Sequence, residues 1–101
     1  MAITTTKVAG TVIPVALTGS DQAVSAAGCV YRGFALRETA GAAAVVKIYD
    51  HASAASGTIL ETVSLAANES AREYYPEGIM ALLGVYVDVV SGAVEGSVRV
   101  A

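Results

Sequence analysis

Alternating valines in the C-terminal part of the chain constrain its fold more than any other feature. Segments 85–90 and 94–100 carry valine at every second position, with one interruption at Gly96. Successive side chains of a β-strand point to opposite faces, so a period of two is the pattern of a strand with one buried face. Ser91-Gly92 has turn chemistry, and the sequence therefore predicts a C-terminal antiparallel hairpin.

Six further segments alternate in the same way or are rich in β-branched residues. They are residues 11–17, 23–25, 29–39, 44–49, 58–65 and 70–75. Pro14 lacks a backbone donor and predicts a sheet edge or a bulge, and Gly33 predicts a bulge in the third segment. Pro76 and Gly78 are expected to end the sixth. About eight short strands separated by turns predict an all-β fold, either a small antiparallel β-sandwich or a jelly-roll-like barrel.

The length and the composition of the N-terminus predict the domain organisation. A chain of 101 residues is long enough for one hydrophobic core but too short for two. Residues 1–10 are small, polar and rich in threonine, which favours an extended N-terminal arm, and residues 11–101 are expected to form a single β-sandwich domain. Because such arms often reach onto a neighbour, the candidate subunit contacts include Ile3, Thr4, Thr5 and Thr6.

The low content of charged residues indicates that part of the surface is covered by other subunits. Hydrophobic residues make up 54% of the chain and charged residues 15%, against about 25% charged in typical soluble domains. So little charge cannot cover a free surface, and we expect a homo-oligomer. The alternative is an alanine-rich monomer, because much of the apolar content is alanine and valine.

Charge and hydropathy also exclude two classes of partner. The formal net charge is −3 and the basic residues do not cluster, so nucleic acid is not an expected ligand. No stretch approaches the roughly 18 apolar residues that a membrane span requires. The N-terminus has no long apolar segment of the kind found in signal peptides, so we expect neither membrane association nor export.

The titratable residues do not form a catalytic or metal-binding motif. His51 is the only histidine and Cys29 the only cysteine, and the carboxylates are scattered along the chain. Metal sites and nucleophilic catalysis both need several such groups held close together. We therefore predict no enzyme activity, no catalytic residue, no metal and no cofactor, with His51 a solvated loop residue and Cys29 a small buried hydrophobe.

The one aromatic cluster is Tyr74-Tyr75-Pro76. Paired tyrosines can anchor a protein interface or stack on a sugar ring. The alternative is that one ring packs in the core while the other is exposed. These three residues complete the set of candidate subunit contacts.

Three stretches of the sequence carry a family resemblance. They are Val30–Thr39 (VYRGFALRET), Gly57–Leu65 (GTILETVSL) and Gly84–Val98 (GVYVDVVSGAVEGSV). In their order of strand-forming and turn-forming residues, these stretches resemble small virion proteins of tailed bacteriophages. The likeness covers the chain from about Val30 to the C-terminus and includes no catalytic signature.

The resemblance implies a structural role in a phage particle. It points most readily to a head decoration (cement) protein, which lies on the outside of the capsid, braces neighbouring major capsid protein subunits and is often a trimer. Expected partners are then the major capsid protein and copies of the chain itself. The expected location is the virion, assembled in the host cytoplasm. Alternatives are a tail or fibre component and a small carbohydrate-binding module built on Tyr74 and Tyr75.

Overall fold

The computed structural model describes residues 11–101, and the arm predicted for residues 1–10 lies outside this range. The described chain contains eight strands and no helix: β1 (Ile13–Ala16), β2 (Gln22–Ser25), β3 (Cys29–Glu38), β4 (Ala44–Asp50), β5 (Thr58–Leu65), β6 (Ser70–Ala81), β7 (Val85–Ser91) and β8 (Val94–Val100). The all-β prediction is confirmed.

The strands form two four-stranded antiparallel sheets with the strand order of a jelly roll. The first sheet has the order β1-β8-β3-β6 and the second has the order β2-β7-β4-β5. Each strand pairs with the one equally far from the opposite end of the chain: β1 with β8, β2 with β7, β3 with β6, and β4 with β5. This is a long hairpin rolled into a sandwich, which is how a jelly roll is built.

The core lies between the sheets and is filled by the inward-facing residues of the alternating segments. In β4 every second residue is buried, and β8 follows the same rule except at Gly96. The buried apolar side chains are Tyr31, Phe34, Leu36, Ala44, Val46, Ile48, Val63, Leu65, Ala81, Val85, Val87, Val94, Val98 and Val100. Most are β-branched, and such side chains pack well on a pleated surface.

The predicted C-terminal hairpin is wrong. β7 lies in the second sheet between β2 and β4, whereas β8 lies in the first sheet between β1 and β3. The connection through Ser91-Gly92 therefore crosses from one sheet to the other, and Gly92 adopts φ +80° there. Alternation shows which face of a strand is buried but does not show its partner. Valines that face one core from opposite sheets give the same pattern as valines in a hairpin.

β6 does not end at Pro76, as the sequence predicted, but continues to Ala81. Tyr74 lies opposite Gly33 and Ile79 opposite Tyr31, so the four residues 75–78 lie opposite Arg32 alone and form a bulge. The guanidinium of Arg32 donates to the Pro76 carbonyl within this bulge. β6 is an edge strand, where proline removes no ladder bond that another strand needs. The bulge predicted at Gly33 and the edge position predicted for Pro14 are both confirmed.

Glu38, at the end of β3, is fully buried and organises the turns at one end of the sandwich. Its carboxylate accepts hydrogen bonds from the backbone N–H groups of Ala40, Gly41 and Ala42 in the β3–β4 connection. It also accepts one from Asn68 in the β5–β6 turn. These donors, with Asn68 the strongest, lower the pKa of Glu38 despite its burial.

Candidate interaction surface

The opposite end of the sandwich carries no formal charge on its connections. Three connections meet there: residues 26–28 between β2 and β3, residues 51–57 between β4 and β5, and residues 82–84 between β6 and β7. Together with the preceding Ile79–Ala81, they contain no Asp, Glu, Lys or Arg. We call residues 26–28, 51–57 and 79–84 the uncharged end.

Four large apolar side chains are exposed at the uncharged end. Leu82 is 71% exposed, Met80 59%, Leu83 57% and Ile79 36%. They are consecutive apart from Ala81, which is buried and lies opposite Cys29. Ile79 and Met80 are neighbours in β6 and point to opposite faces of the sheet, whereas Leu82 and Leu83 lie together in the connection that follows. Large apolar side chains exposed so close together in the chain favour an interaction site.

A buried carboxylate fixes the backbone of the β6–β7 connection, residues 82–84, which carries Leu82 and Leu83. Asp50, the last residue of β4, is 8% exposed. Its Oδ1 accepts hydrogen bonds from the N–H groups of Leu83 and Gly84 at 2.8 and 3.3 Å, and its Oδ2 accepts one from Leu82 at 3.0 Å. These bonds, that from Leu83 foremost, lower the pKa of Asp50. Because the backbone of the turn faces Asp50, the two leucine side chains are directed away from the core into solvent.

The neighbouring β4–β5 connection is fixed by His51. The ring is half-buried, and its Nδ1 accepts hydrogen bonds from the N–H groups of Ser53 and Ala54 at 3.1 and 3.0 Å. His51 is therefore a local cap, and the prediction that it is a solvated loop residue is only partly right. The other residues of this connection are alanine, serine and glycine. A neighbouring molecule could approach the leucines without meeting a bulky or charged loop.

The fixed conformation of the uncharged end suits a protein contact from which water is excluded. A flexible apolar loop loses conformational entropy when a partner orders it, but a turn already fixed by three hydrogen bonds loses little. Removing apolar surface from water contributes about 25 cal/mol per Å² before the costs of association. Methionine, here Met80, also adapts to the shape of a partner.

The structure separates the tyrosines of the predicted contact cluster. Tyr75 turns inward, and its ring lies 6.0 Å from that of the buried Tyr31. The hydroxyls of Tyr75 and Tyr31 both donate to Oε1 of Glu61 on β5, at 2.7 and 3.2 Å. This cluster joins the two sheets where the edge strands β5 and β6 meet, and its immediate role is structural.

Tyr74 and Pro76 are exposed, with Tyr74 at 54%. Tyr74 lies on the outer face of the first sheet, so Tyr74 and Tyr75 do not form one aromatic platform. The remaining predicted contacts, Ile3, Thr4, Thr5 and Thr6, lie outside the described residues.

Residues 11–101 show no group of three or more His, Cys, Asp or Glu side chains placed to hold a metal ion. The same residues contain no helix that could cross a membrane. Comparison of the chain with family models, curated proteins and solved structures gives no match.

Sequence reasoning missed the uncharged end. The stretch IMALLG at 79–84 follows Pro76 and Gly78, the residues predicted to end β6, and its own pattern predicts no strand. Five apolar residues in a segment with no predicted strand are unusual, because connections normally lie on the surface. This apolar segment outside any predicted strand was the sequence signal that could have revealed the uncharged end. Only the strand order shows which other connections meet this one.

Proposed function

We propose that the chain is a structural subunit of a bacteriophage particle, a capsid decoration protein that docks on the outer surface of the major capsid protein lattice and stabilises the head. The resemblance of the chain, from about Val30 to the C-terminus, to small virion proteins supports the phage setting. The single observation that carries the mode of action is the uncharged end, where Leu82 and Leu83 are fixed in exposed positions.

The fold is suited to this role. The first and last strands of this jelly roll, β1 and β8, are paired, and the connections cluster at the two ends of the sandwich, so one end can dock while the other faces away. Viral capsid proteins use the same architecture, although lectins and enzymes use it too. The fold therefore supports the proposal without selecting it.

In this proposal, docking of several copies around a capsid axis brings their sandwiches together. The low charge of the chain favours contacts between copies, and we propose a homotrimer at a junction of capsid subunits. Stabilisation of the head then comes from linking neighbouring capsid subunits through one rigid assembly. Sedimentation of the purified protein measures the oligomeric state.

Heating of particles tests the proposal. Particles that carry the wild-type chain are expected to release DNA at a higher temperature than particles that lack it. The double variant Leu82→Ser/Leu83→Ser should fold with an unchanged circular dichroism spectrum, fail to bind and give no protection. The control is Val90→Ser, which removes a 50% exposed side chain outside the uncharged end and should bind normally.

Equal resistance of particles with and without the protein would contradict a cementing role. Full binding by the double variant would contradict docking through the uncharged end. Electron microscopy of gold-labelled particles separates the head from the tail, and a label confined to the tail would favour a tail or fibre component.

A further inference from the structure

The outer face of the first sheet carries three of the four arginines of the chain. Rows across the strands β6, β3 and β8 can be read from the register: Tyr74, Gly33 and Arg99 form the first row; Arg72, Ala35 and Ser97 the second; Ser70, Arg37 and Glu95 the third. We call these nine residues the arginine face. It lies on a broad side of the sandwich, whereas the uncharged end lies at one of its tips.

The centre of the arginine face is a trough. The middle strand contributes Gly33 and Ala35 in the first two rows, so no large side chain stands between β6 and β8 there. Tyr74 and Arg99 on either side of Gly33 are two strand spacings apart, about 10 Å. A depression in the second and third rows is bordered by Arg37, Arg72 and Glu95.

The trough is positive although the chain is acidic. Three arginines and one glutamate give the arginine face a charge of +2, while the whole chain carries −3. Arg37 pairs with Glu95 at 3.4 Å, and both side chains are more than half exposed. This is the only ion pair within residues 11–101, so Arg72 has no acidic partner there.

Arg99 is half-buried, and its Nε donates to Ser97 Oγ at 2.9 Å. That bond holds the Arg99 side chain along β8, on one side of the trough. Arg72 on the opposite wall is exposed. A guanidinium matches the two oxygens of a carboxylate in a bidentate pair.

We propose that the arginine face binds an acidic saccharide, a pyranose ring that bears a carboxylate. The sugar ring stacks on the exposed ring of Tyr74, the carboxylate pairs with Arg72, and the hydroxyls of Ser70 and Ser97 lie within the same rows to bind sugar hydroxyls. This binding activity goes beyond the proposed docking and uses a different surface.

Three features favour a saccharide over other anions. A duplex or single strand of nucleic acid needs a longer run of cations than three arginines beside a glutamate. An acidic protein surface would pair with the arginines without using the ring of Tyr74 or the open space above Gly33 and Ala35. A ring with one carboxylate uses the aromatic ring, the cation and the open floor together.

Calorimetric titration of the full chain with oligogalacturonate tests the proposal. Binding is expected, and the uncharged methyl ester of the same oligosaccharide should bind at least about tenfold more weakly, since the carboxylate pair is lost. Arg72→Gln and Tyr74→Ala should each weaken binding by a similar factor. Tyr86→Ala, on the second sheet, is the matched control and should bind like wild type.

Polyglutamate is the competing probe. Binding of polyglutamate that equals or exceeds that of the sugar, and that does not depend on Tyr74, would overturn the saccharide in favour of an acidic peptide. Absence of oligogalacturonate binding at millimolar concentration, or wild-type affinity in Arg72→Gln, would also overturn the proposal. Unchanged circular dichroism and capsid binding of the variants show that neither the fold nor the proposed docking is affected.

Discussion

Glu38 and Asp50 are the two buried carboxylates of the sandwich, one near each end. Each accepts hydrogen bonds from backbone N–H groups of a connection that has no strand to pair with. Buried N–H groups without partners are costly, so one acidic side chain at each end replaces the missing ladder. The charge remains buried because several donors surround it.

The lowered pKa values of Glu38 and Asp50 determine how stability changes with acid. Below about pH 4, carboxylates of the unfolded chain take up protons before these two do in the folded state. The unfolded state then binds more protons, so the free energy of unfolding falls as the pH falls. Urea denaturation at a series of pH values should show this decline below about pH 4.

Glu38→Gln should lower the free energy of unfolding at pH 7, because an amide NH₂ group would face the backbone donors of residues 40–42. The decline in acid should also become shallower in this variant. Glu77→Gln, on the exposed bulge of β6, is the control and should match wild type in both respects. A Glu38→Gln variant with wild-type acid sensitivity would contradict this assignment.

The raised pKa values of Tyr75 and Tyr31 predict that the folded state loses stability at alkaline pH. The hydrogen bond to Glu61, with burial, raises the pKa of Tyr75 to about 12, and burial above all raises the pKa of Tyr31 further. Tyrosines of the unfolded chain ionise near pH 10, so the free energy of unfolding should fall as the pH rises beyond about 10. Titration of phenolate absorbance, with denaturation at each pH, measures both effects.

Tyr75→Phe should cost about 1 kcal/mol at pH 7, because a half-buried carboxylate loses one donor. Tyr74→Phe removes an equivalent hydroxyl from an exposed ring and should cost nothing measurable. Equal stabilities of the two variants in urea would show that the Glu61 cluster does not join the sheets.

At the scale of elements, glycines permit the close approach of neighbouring strands in the first sheet. Gly96 on β8 has φ +134°, and a Cβ atom there would collide with the Ala35 carbonyl oxygen of β3. Gly33 has φ +129°, and a Cβ atom there would collide with the Glu73 carbonyl oxygen of β6. Both contacts involve backbone atoms, which cannot move away without breaking the ladder.

Gly96→Ala and Gly41→Ala separate the cost of a backbone collision from the cost of a positive φ. Gly41 has φ +75°, but a Cβ atom at this residue would have no neighbour within 4 Å, so its substitution should cost about 1–2 kcal/mol. Gly96→Ala adds the collision and should cost more than about 3 kcal/mol or prevent folding. Equal costs in urea denaturation would contradict the close approach of β3 and β8.

Strands were predictable where burial alone decides the pattern, as for residues 44–49, because alternation records which side faces the core. Pairing was not predictable, since Val87 and Val98 would alternate identically in one hairpin or in facing sheets. The prediction that the sixth strand ends at Pro76 was wrong for a different reason. Whether a proline ends a strand depends on its being at an edge, and the edge is known only from the strand order.

At the scale of the whole molecule, the uncharged end and the arginine face point in different directions. The low charge content of the sequence indicated a covered surface but could not locate it. The uncharged end is assembled from three connections that are far apart in the chain, and the arginine face from three strands. Such surfaces depend on topology, so the sequence did not show which residues come together. The contacts that it predicted at Tyr74, Tyr75 and Pro76 are not part of the uncharged end, and those at residues 3–6 lie outside the described residues.

The two surfaces together predict the orientation of the bound protein. If the uncharged end docks on the capsid, Leu82 becomes inaccessible while Ser70 on the arginine face stays open. Leu82→Cys and Ser70→Cys, each made in a Cys29→Ala background, should react equally with maleimide in the free protein because both positions are exposed. On particles, Leu82→Cys should lose most of its reactivity and Ser70→Cys should keep it. The reverse result would mean that the broad face docks on the capsid and that the trough is closed to a saccharide in the assembled particle.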